Sequence, residues 1–181
     1  MRSDPRRVVI ADAGPLIALA RIDHLSLLPR LFGGVSVTSW VADEVLTGGE
    51  FPESSALRAA FAEPWLNNVS WADPADAAAL LTQCKALINL HQIDMGEASA
   101  LVLAQQLAQE GIAALVLMDD QRGRQAAQHS LVPLLGTAGL LMLAKEAGAV
   151  AAVKPLLLAL RHAGYFLSDR LTEAVLALSG E

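Results

Sequence analysis

The chain has 181 residues, more than half of them apolar, with a formal net charge of −6. That length suits one domain with a sizeable core, and the apolar content excludes a disordered chain. The acidic balance excludes a broad basic nucleic-acid surface, and no apolar run is long enough to span a bilayer. Cys84 has no cysteine to pair with, and the opening residues MRSDPRRVVIAD contain too short an apolar stretch for a secretory signal, so a cytoplasmic location is expected.

In chain order, Arg7–Ala11 reads as a short buried strand that stops at Asp12. Ala13-Gly14-Pro15 turns into a helix over residues 16–20, with proline suited to its first turn. A second short helix covers 25–31 and is broken by Gly33-Gly34. The β-branched run Val35-Ser36-Val37 predicts a strand, after which Thr38 or Ser39 caps a helix through Leu46 that Thr47-Gly48-Gly49 ends. A weaker helix spans 54–62, and residues 67–71 form an edge-strand candidate. Asp73-Pro74 opens a long helix over 75–89, and Ile93-Asp94-Met95 opens another over 96–109. Residues 114–118 make the next strand, 122–129 a helix, and 131–134 a strand. Gly136-Thr137 then turns into a helix that stops at Gly148. Helices over 151–163 and 168–179 close the chain. Strands alternating with helices, with no tight hairpin signal, predict a parallel sheet covered on both faces, in one domain over residues 1–181.

The acids are unevenly spread. Residues 1–120 carry 7 Lys/Arg against 15 Asp/Glu, whereas residues 121–181 carry 6 against 4. Asp12 ends the first strand, and Asp119 and Asp120 end the strand at 114–118. If those strands are neighbours, the three carboxylates share one rim of the sheet. Asp94 and Glu97, spaced i, i+3, share a face in the first turn of their helix. Glu44 stands among Val41, Val45 and Leu46, where a charge is unexpected. Setting these six acids aside leaves 13 acids against 13 bases, so the negative excess is the size of one cluster. Such a cluster repels itself unless cations enter it, and an all-oxygen donor set selects Mg²⁺ or Mn²⁺. A pair of such ions clamps a phosphodiester, activates water and stabilises the leaving oxygen.

Bland readings stand beside this one. Asp12 and Asp120 can be helix caps, Asp94 and Glu97 can complement a helix dipole, and Glu44 can be a solvated helix residue. Trp40, Trp65 and Trp71 suit core positions, and Gly136-Thr137 suits close backbone packing. No GxGxxG or GxxxxGK[ST] loop points to a nucleotide-binding domain.

Five blocks in order, VVIADAGPLIALARIDHLSLLPRLF, VSVTSWVADEVL, DMGEASALVLA, LVLMDDQRGRQAA and LGTAGLLMLAKEAG, resemble the PIN-domain family, and in particular a branch of small prokaryotic members. The resemblance implies a three-layer α/β/α sandwich with a central, mainly parallel sheet and an acidic pocket for Mg²⁺ or Mn²⁺. It implies a metal-dependent nuclease, commonly an endoribonuclease hydrolysing RNA, often the toxin of a toxin–antitoxin pair and often a homodimer. Carried over by position, catalytic roles fall on Asp12, Glu44, Glu97 and Asp120, metal ligation on Asp12, Asp94, Glu97, Asp119 and Asp120, and substrate binding on Arg124. Two departures stand out: Gly14 replaces a small hydroxyl or amide residue, and Thr38-Ser39 replaces a proline. The alternative reading is a catalytically weak PIN-like module that acts through protein association.

Overall fold

The computed structural model describes residues 7–47, 49, 51–71 and 74–181. The expected roles of Gly48 in ending a helix and of Asp73 in opening one lie outside these residues, as do the first six residues.

Five strands, β1 (Arg7–Ala11), β2 (Val35–Thr38), β3 (Leu66–Val69), β4 (Ala113–Leu117) and β5 (Leu134–Leu135), pair in the order β3-β2-β1-β4-β5. Every pairing is parallel. The chain builds outward from β1 in one direction through β2 and β3, and in the other through β4 and β5. The boundary between β1 and β4 is therefore a topological switch point, where an open α/β sheet leaves a crevice at its carboxyl ends.

The central strands, β1 after Arg7 and β4, run as unbroken apolar stretches because both faces are covered, whereas β2 and β3 toward the edge carry Ser36, Asn67 and Asn68. Alternate residues feed different cores. Val9, Ala11, Leu115 and Leu117 pack on one face. There they meet α1 (Ala13–Arg21), α2 (Leu27–Phe32), α3 (Ser39–Thr47) and α4 (Ser54–Phe61), together with α8 (Thr137–Glu146), α9 (Lys154–His162) and α10 (Asp169–Ser179). Ile10, Ala114, Val116 and Met118 point to the other face, against α5 (Pro74–His91), α6 (Met95–Gln109) and α7 (Gln121–His129). This is the expected α/β/α sandwich. Helix α6 is buried continuously from Gly96 to Ala104. A helix apolar on all sides is one that neighbours enclose, which explains why its sequence shows so little amphipathic contrast.

The strand expected over 131–134 is displaced to Leu134–Leu135. Leu131 has φ +55° and is 90% exposed, and the amide of Val132 donates to the Ala127 carbonyl. The chain is still completing the end of α7 there, so the apolar pair Leu131-Val132 is helix terminus and not sheet. The edge strand expected over 67–71 is shifted to start at Leu66 and stop at Val69.

Candidate metal centre

In-register pairing of β1 with β4, Ala11 opposite Leu117, brings the two strand ends to the same level. The amide of Asp12 extends the ladder by one bond, donating to the Leu117 carbonyl at 3.0 Å, and the amide of Met118 donates to the Leu135 carbonyl at 3.1 Å. These bonds hold Asp12 and the Met118-Asp119-Asp120 turn on one rim. A cleft of about 470 Å³ opens above that rim, lined by Asp12, Glu44, Asp94, Glu97, Asp119 and Asp120. All six candidate acids thus meet, brought together by four separate segments of the chain.

Asp12 occupies the position of a helix cap, with extended backbone, but its side chain makes no capping bond to α1 and turns to the cleft. Its residue is only 8% exposed. Burial is the largest effect and pushes its pKa up to about 7; the Ala13 amide acts next and in the opposite direction, and the charges of Asp94, Glu97 and Glu44 add to the rise.

Asp94 and Glu97 cap each other. The Glu97 amide donates to Asp94 Oδ1 at 2.8 Å, and the Asp94 amide donates to Glu97 Oε2 at 3.0 Å. This reciprocal pair satisfies two orphan donors at the start of α6. Glu97 is 5% exposed, and burial, then the charges of Asp94 and Asp120, raises its pKa to about 7 even though the Asp94 amide bond acts the other way. Glu44 reaches in from α3; burial, then Asp94, pushes its carboxyl above the usual range.

The doubled Asp divides its labour. Asp120 Oδ1 accepts the amides of Arg122 at 2.7 Å and Gly123 at 3.1 Å, capping α7. Asp119 reaches across to α8, accepting the Thr137 amide at 2.8 Å and the Thr137 hydroxyl at 2.5 Å. Thr137 is therefore a hydrogen-bond partner of Asp119 and not merely a packing residue.

Several cleft residues have no acidic sequence signal. Tyr165, from the loop between α9 and α10, lines the cleft beside Asp119. Burial, then the charge of Asp119 and hydrogen bonding to it, holds its phenol protonated well above the ordinary range. Arg122 also lines the cleft, its Nη1 donating to the Gln92 carbonyl at 3.2 Å, whereas Arg124 does not line it. The Arg124 guanidinium and Asp119 instead close over Gly136: a Cβ built there would lie 2.9 Å from each.

Gly96 shows how the bowl is made. A Cβ at this position would stand 3.1 Å from Glu44 Oε2, 3.3 Å from Asp94 Oδ1 and 3.4 Å from Asp12 Oδ1. Three carboxylates from three segments thus converge on space that only a glycine leaves open. The donors are all oxygen and all acidic, which fits a hard divalent cation. Among the described residues, no three Asp, Glu, His or Cys side chains are already drawn together tightly enough to hold an ion as they stand. The capping bonds explain this, because they hold Asp94, Glu97, Asp119 and Asp120 back against the protein frame. Asp94, Glu97 and Asp120 each keep one oxygen outside these bonds, whereas both oxygens of Asp119 accept from Thr137.

A family model described as a PIN domain matches residues 8–181. The chain belongs to the PIN-domain family. PIN domains are generally nucleases that act on RNA and use divalent metal ions, and this PIN domain has the family's nuclease-type fold. No curated protein gives a significant match. Among the described residues, no helix is long and apolar enough to cross a membrane.

Proposed function

We propose that this PIN domain is an endoribonuclease that depends on Mg²⁺ or Mn²⁺. One observation carries the reading: six acids from four chain segments line a single cleft at the switch point of the sheet. Asp12, Glu44, Glu97 and Asp120, with Asp94, would hold the cation through their uncommitted oxygens. Asp119, clamped by Thr137, would act beside them through its remaining lone pairs. When bound, the ion supplies Lewis-acid activation of water and stabilisation of the leaving oxygen.

The chain's own residues account for the rest. Asp12 and Glu97, with pKa values about 7, give up protons as cations enter and can hold one near neutrality. Arg122, held by the Gln92 carbonyl, is the only cation in the cleft lining among the described residues. It would fork onto a substrate phosphate, the role that the sequence resemblance gives to Arg124. The reading extends to a cytoplasmic toxin restrained by a protein antitoxin, with homodimerisation as in many PIN proteins.

The direct experiment is cleavage of RNA in Mn²⁺, in EDTA and by Asp12→Asn. Cleavage that both chelation and substitution abolish supports the proposal. Protein that binds Mn²⁺ but cuts no RNA contradicts it and favours the reading as a binding module. For the toxin role, induced expression should arrest growth, and Asp12→Asn should relieve the arrest.

A further inference from the structure

The polar side chains that line the acidic cleft fall into three kinds. Six are carboxylates, and Arg122 is a cation. The neutral ones among the described residues are Gln92 and Tyr165. Gln92 turns back on helix α5, its Nε2 donating to the Asn89 carbonyl at 3.0 Å. Tyr165 is carried by a firmly built loop. Its amide donates to the Leu160 carbonyl at 2.9 Å, and Gly164, at φ +81°, donates its amide to the Arg161 carbonyl at 3.0 Å. Beyond it, Arg161 Nη2 donates to the Leu167 carbonyl at 3.0 Å. The ring packs half-buried against the apolar core. Its phenol hydrogen-bonds to Asp119 and stands near enough to Asp12 to feel that charge, so that burial and then these carboxylates keep it protonated. A protonated phenol has one hydrogen to donate and lone pairs that accept. The hydrogen goes to Asp119, and the Thr137 hydroxyl beside it spends its own hydrogen on Asp119 Oδ2. The phenol oxygen therefore keeps its lone pairs for a hydroxyl that enters the cleft.

We propose that Tyr165 selects RNA over DNA, its phenol oxygen accepting a hydrogen bond from the ribose 2′-hydroxyl of the nucleotide in the cleft. The inference deepens the endoribonuclease reading above and rests on it. RNA and DNA present the same phosphate to a carboxylate-held cation and to Arg122, so neither of these tells the two apart. Hydrolysis by cation-activated water does not use the 2′-hydroxyl either. That hydroxyl is nevertheless the group by which a protein distinguishes RNA from DNA. Its partner must face the cleft and be engaged with neither the cation nor the phosphate. Tyr165 is the lining side chain among the described residues that meets both conditions without being turned away, as Gln92 is.

The test compares a short RNA, the DNA of the same sequence, and RNAs that carry one 2′-deoxynucleotide at each position in turn. In Mn²⁺ the wild-type protein should favour RNA over DNA by about tenfold in kcat/KM, the worth of one hydrogen bond. One deoxy position should reproduce that loss. Tyr165→Phe keeps the ring and its packing; it should lower cleavage of RNA by about tenfold and add no further loss at that deoxy position. Binding reads the same contact without cleavage. Asp12→Asn protein should hold labelled RNA more tightly than DNA in fluorescence anisotropy, and Tyr165→Phe in that background should remove the difference. A merely structural role for Tyr165 would weaken RNA and DNA alike and would not show the non-additivity. The inference is overturned if Tyr165→Phe keeps the preference for RNA, if it lowers cleavage of RNA and DNA equally, or if its loss multiplies with every deoxy loss. It is overturned too if the wild-type protein cuts RNA and DNA equally well. In these cases the wild-type protein still cuts RNA and the nuclease reading stands. Failure of the wild-type protein to cut any RNA overturns both.

Discussion

Asp94 and Glu97 hold each other by reciprocal side-chain-to-amide bonds, and the same two carboxyls line the acidic cleft. One oxygen of each is spent on starting helix α6, and the other is left to the site. Folding and site chemistry therefore share these residues and can be separated by substitution. Asp94→Asn keeps an acceptor for the Glu97 amide, so its melting temperature should stay close to that of the wild type. Asp94→Ala removes the cap and should cost about 1 kcal/mol. Both remove the charge that helps raise the pKa values of Asp12, Glu44 and Glu97, and both should lower RNA cleavage. Thermal melts and cleavage rates for the pair check this.

The buried acids also set a pH dependence. Asp12 moves from 3.8 to about 7 and Glu97 from 4.5 to about 7 on folding. Between those limits the folded state holds more protons than the unfolded one, so stability falls as pH rises. The metal-free protein should lose on the order of a few kcal/mol between about pH 4 and 7, then level off. Saturating Mn²⁺ should restore stability above about pH 7, where both carboxyls are ionised and able to bind it. Melting temperatures across pH, with and without Mn²⁺, test this. A metal-free profile that is flat, and stays flat in Asp12→Asn, would refute it.

Gly96 offers a substitution with opposed effects. Alanine is intrinsically the better helix former by up to about 1 kcal/mol, and Gly96 sits in α6. Its Cβ, however, would enter the space shared by Glu44, Asp94 and Asp12. Gly96→Ala should therefore keep its stability within about 1 kcal/mol while metal affinity and cleavage fall. Calorimetry of Mn²⁺ binding beside a melting curve distinguishes this from simple misfolding.

Thr137 should matter through Asp119. Thr137→Val keeps the shape and the amide bond but removes the hydroxyl donor, leaving a charged acceptor with one partner fewer. A loss of about 1–3 kcal/mol is expected, with reduced cleavage. Thr137→Ser should restore both, as read by denaturant midpoints and rates.

Gly14 is the departure that can be repaired. A Cβ there would sit 3.8 Å from Asp12 Oδ2 in ordinary contact, leaving room for a short hydroxyl. A hydrogen bond to ionised Asp12 favours the charged form, so Gly14→Ser should shift the acid limb of the pH–rate profile to lower pH. An unmoved limb would mean that the hydroxyl does not reach Asp12.

The parts of this account that were legible in the sequence are those with a strong local pattern. The apolar runs of β1 and β4, each stopped by Asp, announce buried strands with acids at their ends. Asp94 and Glu97 announce a helix start. What the sequence does not carry is partnership across distance. Nothing near Thr137 says that its hydroxyl will meet Asp119, 18 positions earlier. Tyr165 lies on a loop with no periodicity, and only the docking of α9 and α10 brings it to the cleft; that it is the chain's only tyrosine, next to Gly164, is a faint signal at best. Arg122 and Arg124 are nearly equivalent as letters, and helix rotation decides that Arg122 lines the cleft while Arg124 sits beside Asp119 over Gly136. Leu131-Val132 reads as strand because apolar runs of this length are ambiguous, and the positive φ at Leu131 resolves it as a helix end.

The most direct measurement is Mn²⁺ titration followed by the electron paramagnetic resonance signal of the free ion, for wild type, Asp12→Asn and Gly96→Ala. Acids gathered from four segments into one cation-holding cleft predict that the wild-type protein withdraws Mn²⁺ from solution and that each substitution weakens this at least tenfold. A wild-type protein that leaves Mn²⁺ free, or one whose binding survives both substitutions unchanged, would contradict the account.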